Sequence, residues 1–242
     1  MFFTKGDILC VHIYIGCCIL GVNKINRKMQ TKKRIILGSA SPRRRELLEQ
    51  IGISFEVRVS DKEEVYHSLI PEEIVKELAL SKAENVADDL REKQEQVKQI
   101  SFDKKNNVLL DTIVIGADTI VVSDGSILGK PKDEADAVRM IRSLQGRSHK
   151  VYTGVAILDY DDEGKRKSVV HAVETEVFVN PMSDEEIREY AATGEPLDKA
   201  GAYGIQGQFA AYIERIDGDY YNVVGLPVSY VYRQLKEIAE KD

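Results

Sequence analysis

The stretch TIVIGADTIVV, residues 112–122, is the most β-branched segment of this 242-residue chain. Apolar side chains follow one another along it almost without interruption, which is typical of a strand buried on both faces of an α/β sheet. Asp118 breaks the run, and a buried carboxylate is costly unless it is paired, hydrogen-bonded or bound to a metal. The stretch therefore predicts a central buried strand, in which Asp118 either ties off a turn at the strand end or serves a chemical function.

A strand followed by a helix is predicted upstream, in RIILGSASPRRRELLEQIG at residues 34–52. A short strand over residues 34–37 leads into a helix with an apolar face, and a glycine ends that helix. Arg43, Arg44 and Arg45 fill its first turn, where the positive end of the helix dipole disfavours each cation by roughly 0.3–1 kcal/mol. We therefore expect a negatively charged ligand at this end of the helix.

The rest of the chain interleaves helices with strands that read as hairpin-linked pairs. The expected helices are 71–90, 133–146, 183–194 and 227–240, and the expected strands are 54–60, 127–131, 150–160 and 168–180, with a further hairpin across Asp217 and Gly218 within 209–225. This order predicts an α/β fold with a mixed, twisted sheet and flanking helices. We expect one domain over residues 31–242 with two lobes, and a polar loop or helical insertion over residues 91–107.

The first 30 residues are expected to lie outside the fold. Their apolar run over residues 8–22 is interrupted by His12 and is shorter than the roughly 20 residues that a membrane span needs. Asp7 precedes the run and no clear small-residue cleavage site follows it, which argues against a signal peptide. We interpret the segment as a dispensable extension, with Met29 as an alternative start, and a membrane or targeting role as the other possibility.

Composition restricts the partners of the protein. The chain is 43% hydrophobic and 31% charged, and its formal net charge of −6 argues against general binding to nucleic acid or anionic membranes. All three cysteines lie within the first 18 residues, so the body has no disulfide, cysteine-based metal site or thiol nucleophile. Because this cysteine usage fits a reducing compartment, we expect a cytoplasmic protein. From the net charge we expect neither a nucleic-acid nor a membrane partner.

Charged and polar residues in unusual positions suggest a site for phosphates. Lys82 lies in the middle of an apolar stripe of its predicted helix, Lys130 follows a predicted strand, and Gln206 lies in the glycine-rich DKAGAYGIQG. Cationic side chains and helix N-termini bind phosphates, and the carboxylates of Asp118 and Glu64 suit Mg²⁺ or Mn²⁺. Each residue alone also has a structural explanation, such as a lysine that reaches out to solvent. Together they predict metal-assisted chemistry on a phosphoanhydride.

Several common catalytic motifs are absent from the sequence. It contains no GxSxG, Walker A or GxGxxG pattern, and its four histidines are scattered without HExxH-like spacing. These absences argue against a hydrolase nucleophile elbow, a P-loop and a Rossmann dinucleotide site. Ser41 has no plausible histidine partner, and we interpret it as a helix N-cap and phosphate contact rather than a nucleophile.

Seven motifs occur in the order seen in the Maf family of nucleoside triphosphate pyrophosphatases, which the chain resembles from about residue 34 to residue 235. The motifs are SASPRRRELL, LALSKA, IGADTIVV, ILGKP, GRSHKVYTGVAI, GEPLDKAGAYGIQG and NVVGLP. The resemblance implies the elongated mixed α/β fold that this family shares with the inosine triphosphate pyrophosphatases, with a nucleotide cleft between two lobes. It also implies hydrolysis of a nucleoside triphosphate between its α- and β-phosphates, giving a nucleoside monophosphate and pyrophosphate.

The resemblance also implies which residues perform the reaction. Asp118 would accept the proton of the attacking water, and Asp118 and Glu64 would hold a divalent Mg²⁺ or Mn²⁺ ion. Lys82 and Lys130 would be the motif lysines of the catalytic set. The expected substrate contacts are Ser39, Ser41, Arg43, Arg44, Thr119 and Gln206.

Three positions of the resemblance indicate the substrate. Arg43, Thr119 and Gln206 match the dTTP/UTP-preferring branch, whereas the 7-methyl-GTP branch carries other residues there. The amide of Gln206 could pair with a pyrimidine edge, since it offers both a donor and an acceptor. We expect a homodimeric enzyme that removes dTTP, UTP and modified pyrimidine nucleotides. The alternatives are a 7-methyl-GTP or non-canonical purine triphosphate pyrophosphatase and, in a different class, a nucleotide-binding regulator of cell division.

Overall fold

Strands and helices alternate in the computed structural model, which describes residues 31–63, 65–100, 109–161 and 163–241. The strands are β1 (Arg34–Leu37), β2 (Glu56–Val57), β3 (Thr112–Ser123), β4 (Ser126–Leu128), β5 (Ser148–Tyr160), β6 (Arg166–Val179) and β7 (Ile213–Asp217). The helices are α1 (Pro42–Gln50), α2 (Pro71–Ile100), α3 (Glu134–Leu144), α4 (Asp184–Ala192), α5 (Tyr220–Val224) and α6 (Val228–Ala239). Three 3₁₀ segments, Glu195–Asp198, Ala200–Ala202 and Gln208–Tyr212, lie between α4 and β7.

The seven strands form one mixed sheet, so the predicted fold class is confirmed. The order is β2-β1-β3-β5-β6-β7, and β4 pairs with β3 beside this path. β1 runs parallel to both β2 and β3, whereas β3, β5, β6 and β7 pair antiparallel in succession. The long β5–β6 hairpin matches the predicted one, and β3 is the buried strand predicted from its β-branched sequence.

Side-chain alternation along β3 separates the two faces of the sheet. Ile113, Ile115 and Ala117 belong to the large core cluster that α1, α3, α4 and α6 cover. The intervening Val114 packs with residues of α2 on the opposite face. Because side chains of a strand alternate with a period of two, Asp118 projects to the α2 face. The strand pattern therefore decides which helix can provide a partner for this carboxylate.

Two glycines allow α2 to lie unusually close to the sheet. A Cβ atom at Gly116 of β3 would be 2.1 Å from the carbonyl oxygen of Ala79, and one at Gly154 of β5 would be 2.0 Å from that of Val75. Gly154 is also the residue of β5 that pairs with Asp118. The absence of side chains at these positions brings the helix backbone against the strand that carries Asp118.

Two predicted elements differ from the structure. The helix predicted over residues 71–90 continues to Ile100, because residues 91–100 contain neither proline nor glycine to stop it. Over these residues the helical alternative predicted for the 91–107 stretch is the correct one. The predicted second hairpin is wrong beyond its first strand: after β7 the chain turns at Gly218 and enters α5. Asp219 starts this helix, since its side chain accepts a hydrogen bond from the backbone N–H of Tyr221 at 2.8 Å.

Other local predictions are confirmed with small changes of boundary. Asp133 caps α3, and Ser183 and Glu186 form the predicted capping box of α4. The strand expected over residues 54–60 is reduced to Glu56–Val57. The first 30 residues and residues 101–108 lie outside the described part of the chain, so the interpretation of the N-terminal extension is not tested. Within the described ranges, no helix is both long enough and apolar enough to cross a membrane.

Candidate active site

A cleft of about 650 Å³ opens between the N-terminal end of α1, the middle of α2, β3 and the segment that follows α4. Every predicted site residue that the structure describes lines this cleft, namely Ser39, Ser41, Arg43, Arg44, Lys82, Asp118, Thr119, Lys130 and Gln206. Glu64 lies outside the described residues. The fold therefore brings together side chains that are up to 167 positions apart in the sequence, counted from Ser39 to Gln206 (206 − 39).

Lys82 and Asp118 form an ion pair inside the cleft. The Nζ atom of Lys82 donates to Oδ1 of Asp118 at 2.5 Å, and the side chains are 19% and 17% exposed respectively. Asp118 lies in the interior of β3 rather than at a turn, and Lys82 extends to this acid instead of out to solvent. The structural explanations considered for the two residues separately are therefore wrong. Each partner offsets the cost of burying the other's charge.

Arg44 is a buried cation that binds protein atoms. Its side chain donates to the carbonyl oxygen of Gly225 at 2.8 Å, to Oγ of Ser39 at 2.9 Å and to Oγ1 of Thr119 at 3.0 Å. Since the guanidinium is a planar fork of donors, these bonds fix it in one orientation. These acceptors offset the unfavourable position of Arg44 at the positive end of α1. Its predicted direct contact with substrate stays a prediction.

A chain of hydroxyl groups continues from Arg44 beneath the cleft. Thr119 Oγ1 lies 2.9 Å from Oγ1 of Thr153, which in turn donates to the carbonyl oxygen of Asn222 at 2.9 Å. Because Thr153 uses its only proton on Asn222, the proton between the two threonines comes from Thr119. The side-chain amide of Asn222 donates to the carbonyl oxygen of Val151 at 3.1 Å. This network holds Thr119, the residue next to Asp118, by hydrogen bonds on both sides.

Arg43 and Lys130 are the more accessible cations of the cleft. Arg43 reaches Oδ2 of Asp198 at 3.3 Å, in a pair whose side chains are 30% and 61% exposed. An ion pair this exposed contributes at most about 1 kcal/mol, so Arg43 can exchange Asp198 for an anionic ligand at little cost. Lys130 follows β4 in the cleft wall and is exposed. Although burial opposes it, hydrogen bonds from Lys199 and Arg43 hold the pKa of Asp198 below its usual value.

Sequence reasoning missed four charged residues that line the cleft: Lys62, Glu195, Asp198 and Lys199. Lys62 reaches Asp89 of α2 at 3.0 Å and Glu92 at 3.4 Å. The other three belong to the GEPLDKAGAYGIQG motif, in which the sequence analysis predicts Gln206 as a substrate contact. The glycines of that motif were the signal that could have identified these residues, because a backbone without side chains packs closely against neighbouring residues.

The oxygen donors of the cleft allow a test of the expected divalent metal. Among the described residues no group of three or more His, Cys, Asp or Glu side chains could hold an ion. Three described carboxylates line the cleft. Glu195 accepts hydrogen bonds from two protein groups, and Asp198 is paired with Lys199 and Arg43. The third, Asp118, lies beside Lys82. Mg²⁺ characteristically takes one or two carboxylates together with substrate phosphates and water. Asp118 is the predicted metal ligand that the structure describes, and one carboxylate is compatible with a metal held in that way.

Of the described histidines, none lines the cleft. His149 is 3% exposed and its Nε2 lies 2.7 Å from the hydroxyl oxygen of Tyr203. Burial lowers the pKa of His149 to about 4. This histidine is therefore neutral at pH 7 and belongs to the core behind the cleft.

The depressed pKa of His149 predicts how stability depends on pH. His149 binds a proton near pH 6.5 in the unfolded chain and only near pH 4 in the folded chain. The contribution of this histidine to stability is therefore full above pH 6.5 and is lost as the pH falls from 6.5 to 4. The free energy of unfolding falls between pH 7 and pH 4, and we expect this fall to be smaller in His149→Gln by up to about 3 kcal/mol. Urea unfolding at several pH values measures this difference. His67→Gln is the matched control, because the side chain of His67 is 86% exposed; equal slopes in all three proteins would contradict the prediction.

A carboxylate paired with a lysine, surrounded by further cations and a helix N-terminus, is a site built for a phosphorylated substrate. The family model described as "Maf-like protein" matches residues 34–238. The chain therefore belongs to the Maf family, as the motif resemblance predicted.

Three relatives agree in what they are called. The "dTTP/UTP pyrophosphatase" of Agathobacter rectalis is 46% identical over 205 residues, which cover 85% of this chain and 97% of that protein. The proteins of the same description from Alkaliphilus metalliredigens and Bacillus cereus are 47% and 46% identical, covering 81% and 88% of this chain and 91% and 94% of their own lengths. A solved nucleoside-triphosphatase/dITP/XTP pyrophosphatase from Mycobacterium abscessus has a TM-score of 0.29 and 17% identity over 60% of this chain and 72% of that one, a likeness too distant to inform the site.

Proposed function

We propose that this protein hydrolyses nucleoside triphosphates at the α–β phosphoanhydride, with dTTP and UTP as its preferred substrates. The observation that carries the proposal is the Lys82–Asp118 pair in a cation-lined cleft. The relatives named dTTP/UTP pyrophosphatase support it further, because they are 46–47% identical over more than four fifths of this chain. The products are a nucleoside monophosphate and pyrophosphate, so the protein removes these nucleotides and modified pyrimidine nucleotides from the pool.

Asp118 is the general base of the proposed reaction. A water oxygen attacks the α-phosphorus, its proton passes to the Asp118 carboxylate, and the bond between the α-phosphorus and the bridging oxygen breaks. The electron pair of that bond leaves with pyrophosphate, whose charge is stabilised by cations of the cleft. We propose that Lys82 supports both steps: it donates to Asp118 and so orients the base, and it contacts the phosphate bound beside that carboxylate.

The cations divide into two groups according to their partners. Arg43 and Lys130, which are held loosely or exposed, are proposed to bind the β- and γ-phosphates together with Ser41 and the N-terminal end of α1. Arg44 and Ser39 are bonded to each other and to the protein. We propose that they shape the phosphate-binding loop, and that Thr119 contributes to substrate preference through this same network.

Asp118 and Glu64 are proposed to hold a Mg²⁺ or Mn²⁺ ion. Such an ion supplies activation of water and neutralisation of phosphate charge. Asp118 reaches the cleft from the interior of a strand, which gives its carboxylate a fixed position for this role. We also place the protein in the cytoplasm as a homodimer; sedimentation of the purified full chain tests the second of these two statements.

The experiment that tests the function is pyrophosphate release from a panel of nucleotides with Mg²⁺ or Mn²⁺ added. The panel contains dTTP, UTP, CTP, GTP, ITP and 7-methyl-GTP at equal concentrations. We expect kcat/KM for dTTP and UTP to exceed the other values by at least about tenfold, the discrimination that one or two oriented hydrogen bonds provide. Omission of the metal with a chelator present is expected to stop turnover.

Any other outcome would change the function proposed for the cleft. Turnover confined to 7-methyl-GTP or to ITP would keep the chemistry and refute the pyrimidine preference assigned to Arg43, Thr119 and Gln206. Tight binding without hydrolysis of any nucleotide would refute the enzyme and favour a nucleotide-binding regulator.

A further inference from the structure

Glu195 is held between the helix that precedes it and the glycine-rich loop that carries Gln206. One of its carboxylate oxygens accepts a hydrogen bond from the hydroxyl of Tyr190 at 3.0 Å, and the other accepts from the backbone N–H of Gln208 at 3.0 Å. Its backbone carbonyl oxygen accepts from Nζ of Lys199 at 2.6 Å. Both the side chain and the backbone of Glu195 are therefore fixed by named partners.

Tyr190 connects the same carboxylate to the start of the loop. Its hydroxyl oxygen accepts a hydrogen bond from the backbone N–H of Gly204 at 3.3 Å, while its proton goes to Glu195. Burial raises the pKa of Tyr190, so the hydroxyl keeps its proton at neutral pH. Glu195 thus holds the loop at Gly204 through Tyr190 and at Gln208 directly, and Gln206 lies midway between the two attachment points.

The loop glycines are explained by this carboxylate. A Cβ atom at Gly207 would lie 2.0 Å from Oε1 and 2.6 Å from Oε2 of Glu195. The φ angle of Gly207 is −95°, an ordinary value for any residue, so the constraint is contact with the carboxylate, which would have to move to admit a side chain there. A Cβ atom at Gly204 would lie 2.7 Å from Cε of Lys199. The loop therefore packs directly on Glu195 and Lys199.

We propose that Glu195 is a positioning residue for recognition of the base, a role that rests on the proposed function. By holding the loop at both ends, it fixes the position of Gln206, an exposed residue that lines the cleft proposed to bind the nucleotide. Glu195 acts on the base end of the substrate, whereas the Lys82–Asp118 pair acts on the α-phosphate. Its loss changes how tightly and how selectively the nucleotide binds, and leaves the chemical step itself intact.

The first measurement compares Glu195→Ala with the wild-type protein. We expect KM for dTTP and UTP to rise about tenfold, the preference over GTP to shrink by a similar factor, and kcat to stay within about twofold. Glu195→Gln retains the shape and one acceptor oxygen and is expected to recover most of the preference. Glu189→Ala, on the exposed side of α4, is the matched control and should change neither constant.

A double-mutant cycle separates positioning from general destabilisation. Gly207→Ala should raise KM in the wild-type background, because its methyl group displaces the loop from Glu195. In the Glu195→Ala background the carboxylate is gone, and the same substitution should add less than about twofold. Equal effects of Gly207→Ala in both backgrounds, or a fall of kcat and melting temperature in Glu195→Ala with an unchanged preference, would overturn the proposal.

Activity of the wild-type protein reports separately on the proposed function. If it hydrolyses no nucleotide, the function fails, and calorimetric binding of dTTP and GTP to the wild-type, Glu195→Ala, Glu195→Gln and Glu189→Ala proteins then measures the positioning role. Preference for dTTP that is lost in Glu195→Ala supports the role under either outcome, and preference that is kept refutes it.

Discussion

Replacing Asp118 by asparagine is expected to lower kcat for dTTP by about 10²–10⁴, the range that a positioned general base contributes. The amide has the shape of the carboxylate but cannot accept the proton of the attacking water. It also removes the negative charge that Nζ of Lys82 contacts at 2.5 Å in the native protein. Steady-state pyrophosphate release measures the loss, and calorimetry should show that dTTP still binds.

Asp124→Asn is the control for this substitution. Asp124 lies at the turn after β3, its side chain is 71% exposed, and its φ of 49° is one that asparagine also adopts. The control should keep wild-type kcat. If Asp118→Asn retained more than a tenth of wild-type kcat with unaltered KM, Asp118 would not be the base.

Gly116→Ala is expected to be strongly destabilising, although it adds only a single methyl group. The new Cβ would lie 2.1 Å from the carbonyl oxygen of Ala79 and 2.8 Å from the backbone nitrogen of Ala83, and neither backbone atom can rotate away. We expect a loss of about 3 kcal/mol or more in unfolding free energy, the upper end of overpacking costs, and hence a melting temperature roughly 6–12 °C lower. Because relief requires α2 to move from β3, kcat should fall as Lys82 is drawn from Asp118.

Gly129→Ala provides the stability control, since a Cβ there meets no atom within 4 Å. Its melting temperature should stay within about 2 °C of the wild-type value, as for surface substitutions in general. Calorimetric unfolding of the three proteins decides the matter. A Gly116→Ala protein as stable as the control would mean that α2 does not depend on close contact with β3.

The elements that were predicted correctly are those whose signals are local. Each of these signals is contained in about ten residues of sequence. They are the β-branched run of β3, the caps at Asp133 and Ser183, and the 3.6-residue period that puts Lys82 on an apolar stripe. Asp118 and Lys82 stood out because each contradicts its own local pattern. Conflict between a charge and its apolar setting was therefore the signal that located the site.

What the sequence did not reveal depends on residues that are distant along the chain. Three arginines at one helix start look alike in sequence, yet Arg44 is buried because Gly225 and Thr119 offer it acceptors, while Arg43 pairs with an exposed acid. The same limit applies to Glu195, whose partners become visible once α4 and the glycine-rich loop are in contact. Residues 213–217 show the converse error, since an alternating strand before glycine suggested a hairpin where Asp219 instead begins a helix.

The bond from Arg44 to Gly225 has a consequence for biosynthesis. The two residues are 181 positions apart, so the ribosome adds Arg44 to the chain long before it adds Gly225. Until the C-terminal segment leaves the ribosome, the Nε–H group of Arg44 lacks the carbonyl oxygen of Gly225 and stays hydrated, because a buried donor without its acceptor is costly. The cleft therefore reaches its working shape only after nearly the whole polypeptide has been made, and we expect a product that terminates before residue 225 to have lost most of its activity.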